Sequence, residues 1–198
     1  MLDLNEVKLS EIADVRVGFQ ARNRIEEDVN GKFSLIRPQD FTVKGELIGN
    51  PGLRFSPAID PARYLIEDGD ILVIARGHHH AAHLIEVPLE NAVTANTFYI
   101  VRVKDQRNII PAYLLWWINQ TRVQAYFHQQ QGKSTIPFIS KSILLDCVVQ
   151  IPALETQEKI ANMINLWKRE QRLTTQLIEK KNALVQTICQ IAASSNQE

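Results

Sequence analysis

The sequence predicts an α/β fold: a globular domain of mixed strands and short helices over residues 1–152, then one long C-terminal coiled-coil helix over residues 153–198. Three observations predict it. Apolar runs such as Ile71-Leu72-Val73-Ile74 follow turn signals such as Asp68-Gly69-Asp70, the mark of buried strands. Pro111 opens a stretch with apolar residues at helical spacing, and proline's missing amide is no loss at a first helical position. From Leu154 to about Ala193 there is neither Pro nor Gly. At 1.5 Å per residue that stretch makes a rod on the order of 60 Å, longer than a small domain's own core needs.

Along the chain, Leu9, Ile12, Ala13 and Val15 fit a helical turn or two followed by a strand, and Val17–Arg24 reads as a loop. Phe33–Phe41 reads as a strand broken by Pro38, and residues 49–63, with Pro51, Gly52, Pro57 and Pro61, as loop. Strands are expected at 71–74, 83–88 and 93–103. In the last, Phe98, Ile100 and Arg102 alternate with Thr97, Tyr99, Val101 and Val103, so both faces are expected to be partly covered. A helix from Pro111 to about His128 would turn Leu114, Trp117, Ile118 and Ala125 inward and end in the polar run 129–133. A strand over Ile143–Ile151 would end at Pro152. No repeat or low-complexity segment interrupts this order.

Hydrophobic residues make up 45% and charged residues 22% of the chain, which places it among ordinary soluble globular proteins. Lys+Arg and Asp+Glu both number 22, so net charge gives no support for a polyanionic partner. The distribution does: residues 1–70 carry 9 basic and 13 acidic side chains, and residues 71–150 carry 7 basic, 4 acidic and all five histidines. A local positive face in the middle third is therefore permitted. Residues 1–15 lack a basic segment and an apolar core, no apolar run is long enough to span a bilayer, and a cytoplasmic protein without membrane contact is expected. Cys147 and Cys189 lack metal-ligand spacing and are read as buried thiols in a reducing compartment.

In the long helix, heptad spacing aligns Ile160, Met163, Trp167, Leu177, Leu184, Ile188 and Ile191, with Glu170, Thr174 and Lys181 interrupting the seam. Apolar ends around a polar middle suggest a coiled-coil contact whose register is set by the polar positions.

Four stretches carry a family likeness. Leu9–Phe19 (LSEIADVRVGF) resembles the opening "L-G-D-I-A-x-V-x-x-G" of the recognition domains of type I restriction–modification specificity subunits. Leu35–Phe41 is similar to their next short strand, and Glu67–Gly77 (EDGDILVIARG) to their "G-D-I-L-x-x-x-R-G" strand. Residues 131–164 resemble the closing run, a "G-x-T-x-x-x-I" loop, a strand, a proline and "L-x-x-Q-x-x-I" opening a long helix. Thr156 stands where the family usually has Glu, and Ile136-Pro137 replaces a more polar loop. Full-length members carry two recognition domains and two long helices, whereas this chain holds one of each, so the resemblance is to a half-length form.

The resemblance implies a non-catalytic subunit that binds double-stranded DNA and needs no cofactor of its own. The methyltransferase subunit would supply S-adenosylmethionine, and a restriction motor–nuclease subunit would join it. A homodimer paired antiparallel through the long helix would restore two recognition domains, and a symmetric dimer reads an interrupted palindrome. DNA reading needs phosphate anchors and a few side chains at base edges. Three groups offer them: Arg76, Gly77, His78, His79 and His80 directly after a strand; Gln131, Lys133, Ser134 and Thr135 around Gly132; and Arg16, Gln20, Arg22 and Arg24.

The histidine run is not expected to bind metal, because neighbours on an extended strand point to opposite faces. Trp116, Trp117 and Trp167 are read as packing residues. The sequence holds no Gly-x-x-x-x-Gly-Lys loop, no Asn-Pro-Pro-aromatic tetrapeptide and no paired-carboxylate nuclease motif. Two other classes stay open at this point: a protein-only adaptor, and a metal-assisted nuclease built on His78–His83.

Overall fold

The computed structural model describes residues 5–21, 24–42, 45–48, 52–132 and 136–194. By internal packing the chain divides into two units, 1–158 and 159–198.

In the first unit, a four-stranded antiparallel sheet runs in the order β2 (Ala13–Val17), β8 (Phe98–Val103), β5 (Ile71–Ile74), β6 (Ala82–Leu84). β5 and β8 bury both faces, as their apolar runs require. On one face, Val15, Val73 and Val101 pack with Leu114, Ile118, Phe127 and Leu144 of three helices, α2 (Pro111–Ile118), α3 (Thr121–Gln130) and α4 (Lys141–Leu145). On the other, Leu72, Phe98 and Ile100 meet Ile36 and Ile85.

A three-stranded sheet, β4 (Leu53–Phe55), β3 (Phe33–Ile36) and β7 (Ala92–Thr94), covers a third cluster of Phe19, Leu35, Phe55 and Val93. β1 (Asn5–Lys8) leads into the single turn α1 (Leu9–Ile12) and pairs antiparallel with β9 (Val148–Ile151), Lys8 opposite Val148. Helix α5 (Leu154–Ser194) follows at once.

Several elements differ from the sequence reading. The helix expected over 111–128 breaks at Asn119-Gln120. There the Asn119 side chain accepts from the Ala82 amide (2.9 Å) and donates to the Ala82 carbonyl (3.0 Å), imitating a neighbouring strand on the free edge of β6. The break shifts the phase, so Ala125 is exposed while Val123 and Phe127 are buried. The strand expected over 143–151 begins as α4, capped by Ser140 Oγ accepting from the Ile143 amide. Residues 93–103 form two strands rather than one, and the loop over 49–63 contains β4.

Gln157 is fully buried in the first turn of α5. Its Oε1 accepts from the Ile110 amide (3.0 Å), and its Nε2 donates to the carbonyls of Asn108 (3.0 Å) and Pro152 (2.9 Å). One amide thus satisfies three backbone groups that would otherwise be orphaned at the helix entry.

Cys147 is buried and burial pushes its thiol up to about 12, whereas Cys189 is exposed on α5, contrary to the expectation that both are buried. A protonated, enclosed thiol is a poor nucleophile. Iodoacetamide at neutral pH is expected to label Cys189 alone in the native protein and both cysteines after denaturation. Rapid native labelling of Cys147 would contradict the packing around it.

Candidate nucleic-acid interface

Strands β2 and β5 run in the same direction and β8 runs against both, so the loops after β2 and β5 and the loop before β8 leave from one end of the sheet. At that end the Gly18 amide donates to the Phe98 carbonyl and the Ala75 amide to the Thr97 carbonyl. Gly18 lies so close to the Ala95 carbonyl that a Cβ would sit 2.1 Å from its oxygen, so only glycine fits there.

The same end joins two candidate groups that the sequence separates by over fifty residues. Arg76 bridges Phe138 in antiparallel fashion. The Ile139 amide donates to the Ala75 carbonyl (3.0 Å) and the Gly77 amide to the Pro137 carbonyl (2.9 Å). Tyr99 Oη donates to the Ile139 carbonyl (3.1 Å), tying the second loop to the middle of the sheet. Gly77 has φ of +129°, a conformation L side chains avoid, and its Cα faces open space. The chain therefore turns there and presents Arg76, His78 and His79 to solvent.

His80 departs from the expected contact set. It is fully buried against Phe127 and cannot touch DNA directly. Its Nδ1 lies 2.9 Å from the Ile74 carbonyl and its Nε2 3.1 Å from Gln131 Oε1. Gln124 Nε2, on α3, donates to the His80 carbonyl (3.1 Å), so α3 holds this loop in place. His80 is thus a positioning residue that locks the 76–80 loop to Gln131. His83, in the same histidine cluster, is also buried and stacks on Phe41 at 4.2 Å.

His128 was not singled out in the sequence. It lies in the last turn of α3, with Nδ1 3.2 Å from Gln131 Nε2 and its ring 6.5 Å from that of His79. Among the described residues, this face exposes Arg76, His78, His79 and His128 beside the half-exposed Gln131, flanked by the exposed apolar side chains of Ile136 and Phe138. Its polar members all carry hydrogen-bond donors, each imidazole at least one ring N–H, which suits phosphate and base-edge acceptors. Among the described residues no group of three or more His, Cys, Asp or Glu is arranged to hold a metal ion.

The third group is more dispersed. Arg16 is half-buried, its Nη1 donating to the Arg63 carbonyl (3.3 Å), and Arg63 in turn donates to Tyr64 Oη (2.6 Å) and lies over that ring. Gln20 and Arg24 are exposed, Arg24 on a groove of about 650 Å³ that also holds Glu26, Glu27 and Asp28. Those carboxylates weaken the local positive field. Arg22, Lys133, Ser134 and Thr135 lie outside the described residues.

On α5, Met163, Trp167, Leu177, Leu184, Ile188 and Ile191 are all more than half exposed and Ile160 is half-buried. Trp167, at 59% exposure, is not the intramolecular packing residue expected of it. Trp117 packs against the first cluster and donates its indole N–H to the Val148 carbonyl (3.0 Å). No helix among the described residues is long and apolar enough to cross a membrane.

Comparison with known proteins places this arrangement. No curated protein sequence matches the chain. Among solved structures, a type I restriction–modification system S subunit from M. genitalium is similar over 90% of this chain and 42% of its own, at 16% identity and a TM-score of 0.59. The HsdS subunit from Thermoanaerobacter tengcongensis is similar over 84% of this chain and 37% of its own, at 14% identity and a TM-score of 0.60. A chain from a study of complex assembly and conformational transition of the type I R-M system matches over 84% of this chain and 38% of its own, at 16% identity and a TM-score of 0.62. These likenesses are of fold, and the chain spans about two fifths of the length of the structures it matches. The profile of the type I restriction modification DNA specificity domain matches residues 1–183, and the chain belongs to that family.

Proposed function

We propose that this chain is the sequence-recognition subunit of a type I restriction–modification system in half-length form, acting as a dimer on an interrupted palindrome. Specificity domains are non-catalytic, the enzymatic activities lying in other subunits. In this reading residues 1–152 bind one half-site of double-stranded DNA and residues 153–198 act as spacer and docking helix. The methyltransferase subunit, carrying S-adenosylmethionine, and the restriction motor–nuclease subunit are the partners.

The observation that carries the reading is the convergence of the 76–79 loop, His128 and Gln131 on one exposed, donor-rich face at the sheet end. Arg76 supplies a planar donor fork suited to a phosphate or a guanine edge, and the imidazoles and Gln131 offer shorter-range donors. The apolar residues of α5 outside the heptad seam, Leu166, Leu173, Ile178 and Val185, are each more than half exposed and offer the methyltransferase subunit a surface.

Selection from a randomised duplex pool, with the methyltransferase subunit present, is expected to recover an interrupted palindrome. Deleting one heptad, residues 170–176, brings the two helix entries of an antiparallel dimer closer by about 10 Å, roughly three base pairs. The recovered spacer is expected to shorten while the half-site stays the same. Recovery of no motif by the folded protein, together with DNA retention insensitive to salt, would favour a protein-only adaptor instead.

A further inference from the structure

Glu170, Thr174 and Lys181 are exposed and sit at seam positions of α5 that a coiled coil would fill with apolar side chains. Neither Glu170 nor Lys181 has an opposite charge three or four residues away on its own helix, so neither is explained by local pairing. The seam has a hidden symmetry. About a point between Thr175 and Gln176, Ile160 mirrors Ile191, Met163 mirrors Ile188, Trp167 mirrors Leu184, Glu170 mirrors Lys181 and Thr174 mirrors Leu177.

We infer that, in the antiparallel dimer of the reading above, the two-fold axis of the α5 pair lies between Thr175 and Gln176, so that Glu170 of each copy faces Lys181 of the other. The inference rests on the dimer reading above and specifies its register. In this register three apolar layers close each half of the seam, and the two charged interruptions become complementary pairs. Sliding one copy by a heptad either way sets Lys181 against Met163 or against Leu177, and Glu170 against Thr174 or against Ile188, and forfeits an outer apolar layer. A parallel pair sets Glu170 against Glu170 and Lys181 against Lys181, like charges in a partly desolvated seam. The interruptions therefore select orientation and register together. With this axis the two Leu154 ends lie about 65 Å apart along the pair.

The test uses the full chain. Glu170→Lys and Lys181→Glu each place like charges opposite one another twice per dimer, and each is expected to weaken self-association at least about tenfold by sedimentation equilibrium. The double variant restores opposite charges and is expected to return to within about threefold of the wild type. In a Cys189→Ser background, Glu170→Cys mixed with Lys181→Cys is expected to form a disulfide between copies, and Glu170→Cys alone is not. Self-cross-linking of Glu170→Cys alone would establish a parallel pair and overturn the register while leaving the dimer intact. A dimer indifferent to both charge reversals, with neither cross-link, would place the contact elsewhere and equally overturn it. A chain that stays monomeric, with helix α5 retained by circular dichroism, would overturn the dimer reading itself.

Discussion

Replacing Arg102 by methionine is expected to destabilise the domain by about 3–5 kcal/mol, the cost of leaving a buried carboxylate without its partner. Asp70 is fully buried at the start of β5, where the strand leaves its turn. Arg102, on the adjacent β8, donates Nε and Nη2 to the two carboxylate oxygens at 2.7 Å each, and its Nη1 lies 2.7 Å from Glu67 Oε1. Asp70 also accepts from the Glu67 amide (2.8 Å), so the same carboxylate holds both the turn and the strand pair. Hydrogen bonding to Asp70 raises the guanidinium above its already high ordinary value, so it stays charged at any working pH. Methionine keeps the stem's packing and removes only the fork. The checking measurement is the urea midpoint of Arg102→Met, Asp70→Asn and the double variant. The two changes share one interaction, so the double variant is expected to lose clearly less than the sum. Additive losses, with Arg102→Met below about 1 kcal/mol, would mean that the pair behaves as an exposed surface bridge.

The second large effect concerns DNA. Leu184→Glu changes a side chain that is 59% exposed in the single chain, so folding of the recognition domain is expected to be unaffected. In the dimer reading it places a charge against Trp167 of the other copy and separates the two recognition domains. A divalent contact then becomes monovalent, and affinity for the full site is expected to fall by about 10²–10⁴. Affinity for an isolated half-site is expected to hold, and the dependence of log affinity on log salt is expected to halve, because half as many phosphates are neutralised. Titrations against full-site and half-site duplexes at several salt concentrations, beside sedimentation, read all three. A monomeric variant that retains full-site affinity would disconnect dimerisation from recognition.

How much of this was legible in the amino-acid order varies with the range of the interactions involved. Strand β5 announced itself through a turn followed by four apolar residues, and α1 with β2 through the change of spacing at Ala13. The start of α5 after Pro152 and its apolar seam were equally plain, because helix propensity and heptad spacing are properties of residues a few places apart. The family likeness rests on motifs of the same local kind, and the profile match over residues 1–183 bears it out.

The interface was legible only as separate pieces. Arg76 to His80 and Gln131 were picked out for the kind of side chain they carry, but nothing local says that His80 is buried. Its fate depends on Gln131, 51 residues away, and on Phe127, which packs beneath it. His128 gave no signal of its own, since a histidine in the last turn of a helix is unremarked until the loops on either side are brought to it. The break at Asn119 was equally silent, because the free edge of β6 that it serves lies 37 residues earlier in the chain. By itself, then, the sequence determined the locally patterned elements, among them β5, α1 with β2 and the long helix α5, and the family. Which donors share a face, and which histidine is sacrificed to hold them there, only the tertiary structure decided, because burial and pairing across tens of residues are set by how the sheet and helices pack and not by the spacing of neighbours along the chain.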